Sequence, residues 1–239
     1  MIVLDGASQP EPSPRNGGWI ADQLGSELAT CLSDDPTIDL RSALARSIAR
    51  VAERHRLQPG TAPSTTVSVV RWDAQTVDVL VLCDSPVVVA DRSGGIHEVR
   101  DDRLAAVTAN LAQPSRFDAD EPEAWQALVD GQRRHRNRSG GYWVAEADPA
   151  AAHHAITRSW PIDDLSVVLA MTDGVSIGVD RYGVPPDWPT AIALAADEPA
   201  RLLDAIHDAE AEDPFGDRWP RSKRHDDKAL AVLRFDLAI

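Results

Sequence analysis

The chain has 239 residues, 43% hydrophobic and 26% charged, with a formal net charge of −14. That length and apolar content suffice for one sizeable core, while so acidic a surface repels nucleic acid and anionic membranes and excludes both as partners. Cys31 and Cys83 each sit in an apolar stretch without metal-type pairing and read as reduced core thiols of a cytoplasmic protein; no apolar run reaches membrane-spanning length, and no signal-like segment leads the chain.

Ile2–Leu4 form a short apolar strand that runs straight into Asp5-Gly6. Residues 7–16 have the proline-rich composition of a loop. From Gly18 to Leu32 apolar residues recur at helical spacing, and Pro36 ends the pattern. Leu40, Leu44, Ile48 and Val51 make the stripe of a second, amphipathic helix, which Pro59-Gly60 closes. The β-branched runs STTVSVVRW and TVDVLVLCD then predict a hairpin, and PVVVAD with GIHEVR a second one around RSGG. Residues 101–113 and 121–135 read as helices. GGYWVAEAD and HHAITRSW read as strands, and LSVVLAMTDG as a buried one. Helical patterns follow at 188–196 and 198–211. Residues 212–225 are an irregular charged loop, and KALAVLRFD is a closing strand. Helices and antiparallel strands arrive in blocks, which points to α+β layers in a single domain over 1–239 rather than to a parallel sheet.

Several apolar strands deliver a carboxylate at one end: Asp5, Asp84, Asp173, and the Asp226-Asp227 pair. Brought together, these acids repel one another unless a counter-charge intervenes. A divalent cation supplies it, and oxygen ligands without a nearby Cys/His set suit Mg²⁺ or Mn²⁺. Two such ions bind a phosphate and activate water for in-line attack. The structural alternative for each Asp is a turn or helix cap.

The order of motifs sharpens this. VLDGAS, STTVSVV, CDSPVVV, LAMTDGVS and DDKALAVL follow one another along the chain. In that order they resemble the Asp-Gly-x-Gly, Ser-Thr-Ala-Val, Gly-Asp-Ser-Arg, Thr-Asp-Gly and Asp-Asn-x-Thr motifs of the metal-dependent type 2C Ser/Thr protein phosphatases (the PPM family). The resemblance runs from Met1 to the last strand. It implies a four-layer α-β-β-α sandwich of two antiparallel sheets flanked by helices. It also implies a binuclear Mn²⁺ or Mg²⁺ site, and a phosphorylated Ser/Thr protein as substrate, attacked by a metal-bound hydroxide without a covalent enzyme intermediate. On the matching positions, Asp5 would bridge the ions and Gly6 would lend its carbonyl. Asp173 and Asp226 would hold the other ion, and Asp84 with Asp173 a looser third. Arginine far outnumbers lysine, which occurs only as Lys223 and Lys228; that bias fits a bacterial member of the family.

The sequence departs from the family at several points. It begins at the Asp-Gly strand, without the preceding strand whose Arg clamps phosphate and whose acidic pair supports one metal. Ser8 replaces the second Gly of the first motif, and Ala7 stands where some members carry a proton-donating His. Cys83 replaces Gly before Asp84, and Ala229 replaces the Thr of the last motif. Those losses raise the rival reading of a weak or inactive phosphatase-like binding module. The run RRHRNR, Arg133 to Arg138, offers a replacement phosphate clamp, against the simpler reading of a solvated helix end. His153-His154 read as structural, on the argument that neighbours on a strand face opposite ways. His225 stands beside Asp226 as a candidate proton donor. Trp19, Trp125, Trp143 and Trp160 read as core or helix-packing residues, and Ser64-Thr65-Thr66 as strand packing.

Overall fold

The structure, a computed structural model, describes residues 1–8, 13–114, 117 and 120–235. Residues 9–12 of the proline-rich loop and Asp236 of the closing strand lie outside the described residues.

Two four-stranded antiparallel sheets form the middle of the molecule. The first has the order β1 (Ile2–Val3), β2 (Val67–Trp72), β3 (Thr76–Leu82), β6 (Ile156–Pro161); the second β5 (Ile96–Val99), β4 (Val87–Asp91), β7 (Leu165–Met171), β8 (Leu230–Arg234). Strand alternation assigns each residue to one of two faces. Val77, Val79 and Val81 of β3 meet Val87 and Val89 of β4 and Leu165, Val168 and Ala170 of β7 between the sheets. On the outer face of the first sheet, Val67, Val69, Leu80 and Leu82 pack under α1 (Gly17–Asp34) and α2 (Leu40–His55). On the outer face of the second, Val88, Leu169 and Met171 pack under α6 (Trp188–Asp197) and α7 (Pro199–Glu212). Two valine-rich sheets with both faces covered give the α-β-β-α layering that the sequence implied.

Local chemistry fixes the helix ends. Asn16 Oδ1 accepts from Trp19 N–H at 2.9 Å to cap α1, and Asp39 Oδ1 accepts from Ser42 N–H at 2.9 Å to cap α2. α2 stops at His55, short of Pro59, because Arg56 takes a left-handed conformation (φ 54°). The helix predicted over 101–113 is only α3 (Arg103–Thr108), and that over 121–135 is α4 (Pro122–Arg133).

GGYWVAEAD is not a strand. It pairs singly, Ala145 with Thr65 and Tyr142 with Arg136. Asp148 then caps a 3-10 turn, Pro149–His154, which draws the chain off the sheet until β6 begins at Ile156. His153 and His154 lie in that turn, so the alternating-face argument does not apply to them; His154 instead stacks on Trp143 with ring centres 3.5 Å apart. Trp19, Trp125, Trp143 and Trp160 are half-buried; Trp143 packs against the core under α1 and α2 and Trp160 against the core between the sheets, while Trp188 and Trp219 are buried under the second sheet. Segment 134–147 is held by a buried ion pair, Arg136 Nη2 to Glu146 Oε2 at 3.0 Å. Arg136 therefore points inward, and reading it as part of a solvated helix end is corrected.

Arg136→Ala should cost about 3 kcal/mol in urea unfolding, because it leaves a buried carboxylate with only the Gly60 N–H and the Asn137 amide as donors. The double variant Arg136→Met, Glu146→Leu should recover part of that loss.

Candidate metal centre

The register of β1 on β2, Ile2 with Val69 and Val3 with Ser68, continues to Gly6 opposite Thr65. Asp5 therefore lies opposite Thr66. Its N–H donates to Thr66 Oγ1 at 3.0 Å, and its carbonyl accepts from Thr66 N–H at 2.9 Å and Thr65 Oγ1 at 2.8 Å. Ser64-Thr65-Thr66 thus do more than pack: they clamp the main chain that presents the first acid. A Cβ on Gly6 would stand 2.2 Å from the Gly17 carbonyl carbon, so this turn closes on the start of α1 only because both residues are glycine.

Asp173 opens the short helix α5 (Asp173–Ile177) directly after β7. The ladder of β7 with β8 ends at Met171 opposite Leu230 and is extended by Thr172, whose N–H donates to the Ala229 carbonyl at 3.0 Å and whose Oγ1 accepts from Ala229 N–H at 3.1 Å. This docks the segment carrying Asp226 beside Asp173. Gly174 allows it, since a Cβ there would meet the Asp227 carbonyl oxygen at 2.3 Å. Asp227 points to solvent, its side chain 91% exposed.

Asp84 follows β3 in a turn entered through Cys83, whose φ of 69° belongs to the left-handed region that favours glycine. Cys83 N–H donates to Asp101 Oδ2 at 3.1 Å, and Arg103 holds Asp101 in turn at 2.7 and 2.6 Å. Ser85 Oγ meets Thr66 Oγ1 at 2.6 Å and ties the Asp84 turn to the strand that clamps Asp5.

The four acids share one electrostatic environment. Burial, and then the Asp226 and Asp84 charges, push Asp5 up to about 6 against a hydrogen bond from Asp173. Burial and the charge of Asp173 push Asp84 up to about 7. Burial, Asp226 and Asp5 push Asp173 up to about 8. Lys223 Nζ reaches Asp226 Oδ1 at 3.1 Å and Asp227 Oδ2 at 3.3 Å, and those carboxylates hold its ammonium above the ordinary lysine value despite the opposing effect of burial. The Cys83 thiol hydrogen-bonds Asp84, and its pKa is pushed well up by burial, so it stays a neutral thiol and the carboxylate oxygens remain the donors suited to a hard divalent cation. The residues present fit Mg²⁺ or Mn²⁺.

A cavity of about 650 Å³ opens beside Ala7 and Ser8, immediately after Asp5-Gly6. Trp125, Gln132, Arg133 and Ser64 line it. Arg133, 40% exposed and only 3.9 Å from Asp130, is loosely held. His225, the sequence's candidate proton donor, turns instead toward Glu210, with Nδ1 3.2 Å from Oε2.

Two acids followed by glycine, a third on the turn that crosses from β3 of one sheet to β4 of the other and a fourth just before the closing strand thus converge at one end of a four-layer sandwich of antiparallel sheets. The fold is that of the PPM-type protein phosphatases. A point variant of a bacterial serine phosphatase, with one arginine changed to alanine, aligns over 98% of this chain and 83% of its own, with a TM-score of 0.55 and 12% identity. The serine/threonine phosphatase Stp1 from Staphylococcus aureus aligns over 88% and 78%, at 0.52 and 13%. The catalytic domain of the serine threonine protein phosphatase PstP, in complex with 2 manganese ions, aligns over 87% and 80%, at 0.51 and 16%. No protein-family model and no curated protein matches the sequence.

An acid whose folded pKa lies above its ordinary value binds protons in the folded state that the unfolded chain has lost. Its contribution to stability is present below about pH 4 and is lost as pH rises through the folded value. For Asp173 that window runs from an ordinary 3.8 to about 8. In EDTA, the melting temperature should therefore fall by a few degrees from pH 5 to pH 8 through this group, and Asp173→Asn should flatten the fall. Thermal unfolding of both proteins across that range checks this.

Proposed function

We propose that the chain is a Mn²⁺- or Mg²⁺-dependent phosphomonoester hydrolase acting on phosphorylated Ser/Thr of proteins, built as one type 2C-like domain over residues 1–239. The observation that carries the reading is the convergence of Asp5, Asp84, Asp173 and Asp226, three of them with raised pKa values, in the fold that bacterial serine phosphatases share. The two manganese ions of PstP support the metal assignment. Asp5, the Gly6 carbonyl, Asp173 and Asp226 would hold the pair of ions, and Asp84 beside Asp173 would offer ligands for a further one.

When bound, the ions supply charge neutralisation for the phosphate and a lowered pKa for attacking water. The protein's own contribution is placement. Thr65 and Thr66 fix the main chain of Asp5, Gly174 lets the Asp226 segment close against α5, and Thr172 holds that segment in register. The cavity beside Ala7 and Ser8 receives the peptide carrying the phosphate, with Arg133 at its rim to meet the anion.

One observation favours a second reading, a metal-free binding module on the same fold. The ammonium of Lys223 already sits on Asp226 and supplies part of the counter-charge. Mn²⁺ would have to displace it.

Hydrolysis of an aryl phosphate by the full chain should require Mn²⁺, stop in EDTA, and fall about a hundredfold or more in Asp173→Asn. No turnover from folded protein in any of these conditions would sink the catalytic reading. Arg133→Ala should raise KM for a phosphopeptide severalfold with a smaller change in kcat. Lys223→Gln should tighten Mn²⁺ binding about threefold to tenfold, read by calorimetry, since it removes a competing charge; the absence of Mn²⁺ binding in both proteins would leave the binding module.

A further inference from the structure

A second group of ligand-type side chains sits in the outer helical layer, apart from the four aspartates. His207 and Glu210 stand three residues apart on α7 and so share a face. His225 comes from the loop that leads back to Asp226. One ligand atom from each of the three lies within 4.8 Å of the others, and the two imidazoles stack with ring centres 4.0 Å apart.

Glu210 is fully buried. Its Oε2 accepts from Lys228 Nζ at 2.7 Å and faces His225 Nδ1 at 3.2 Å. Its Oε1 is also buried and has no hydrogen-bond partner, the one side-chain polar atom in that position among the described residues. A helix can fill such a place with an apolar side chain at no electrostatic cost, so a buried carboxylate oxygen without a donor calls for an electrophile. Two imidazoles beside the same carboxylate complete the set.

We propose that Glu210 Oε1, His207 and His225 form a binding site for a borderline transition-metal ion, Zn²⁺ in the first instance. The N₂O donor set selects differently from the all-oxygen aspartates: imidazole favours Zn²⁺ over Mg²⁺ or Mn²⁺. Three protein ligands leave a fourth tetrahedral position for water. Lys228 keeps its contact with Oε2 and also donates to the Asp226 carbonyl at 3.0 Å. An ion on Oε1 therefore pins α7 to the segment that presents Asp226. This site stands independently of the phosphatase reading.

The test is Zn²⁺ titration of the metal-stripped full chain in excess Mg²⁺, followed by calorimetry, with the visible absorption of Co²⁺ as a report of tetrahedral coordination. One Zn²⁺ per chain is expected. His207→Ala, at an exposed position where folding is preserved, should weaken it about tenfold or more and abolish the Co²⁺ band. Asp173→Asn should retain both. Zn²⁺ binding that survives His207→Ala unchanged, that disappears in Asp173→Asn, or that is absent in excess Mg²⁺ would overturn the proposal, whatever the phosphatase assay gives.

Discussion

Four carboxylates held close together in a poorly solvated place constrain everything around them. Each one makes its neighbours harder to ionise, and no amount of packing removes that repulsion. The chain tolerates it because the groups sit on rigid supports that cannot drift apart: a strand edge clamped by two threonines, a helix start, the turn that joins the two sheets and the lead-in to the last strand. The two sheets supply the rigidity through an interface made almost wholly of valine, alanine and leucine, whose side chains have few alternative rotamers there. The sandwich is thus the frame on which an electrostatically unfavourable group is kept in place.

Main-chain contact, more than side-chain contact, brings the acids to one another. At Gly6 against Gly17, and at Gly174 against Asp227, two backbones approach to a distance that one added carbon would prevent. This explains why two of the acids are followed by glycine. The residue after the acid controls how near the next segment can come, and so how tightly the charges crowd.

The layers were legible in the sequence because alternation and helical spacing are direct consequences of burial: the β-branched runs of β2, β3, β4 and β7 and the stripe Leu40, Leu44, Ile48, Val51 became the elements they suggested. The acids were legible as strand-end residues in a given order. What the sequence hid depends on contacts between distant residues. Tyr142 to Ala147 look like a strand, yet an inward-pointing Arg136 and the Asp148-Pro149 turn take them off the sheet. Lys223 reads as one more charge in a polar loop, and only the fold shows it seated on Asp226. His225 drew attention through its neighbour Asp226, whereas its partners are His207 and Glu210, fifteen or more residues away along the chain. An i, i+3 His–Glu pair on α7 was the available signal, and such pairs are common on solvated helix faces.

Both thiols of the chain are buried and free, but they are buried in different places. Cys31 lies among the side chains of α1 and α2 under the first sheet, while Cys83 is wedged against Tyr142 and Val144 in the strained turn that carries Asp84. Neither is reached by a reagent until its surroundings open, and what must open differs: for one, the helical layer has to lift; for the other, only the turn and the segment over it. The molecule therefore carries two internal clocks, one timing the breathing of its outer shell and the other the breathing of the loop beside its acids.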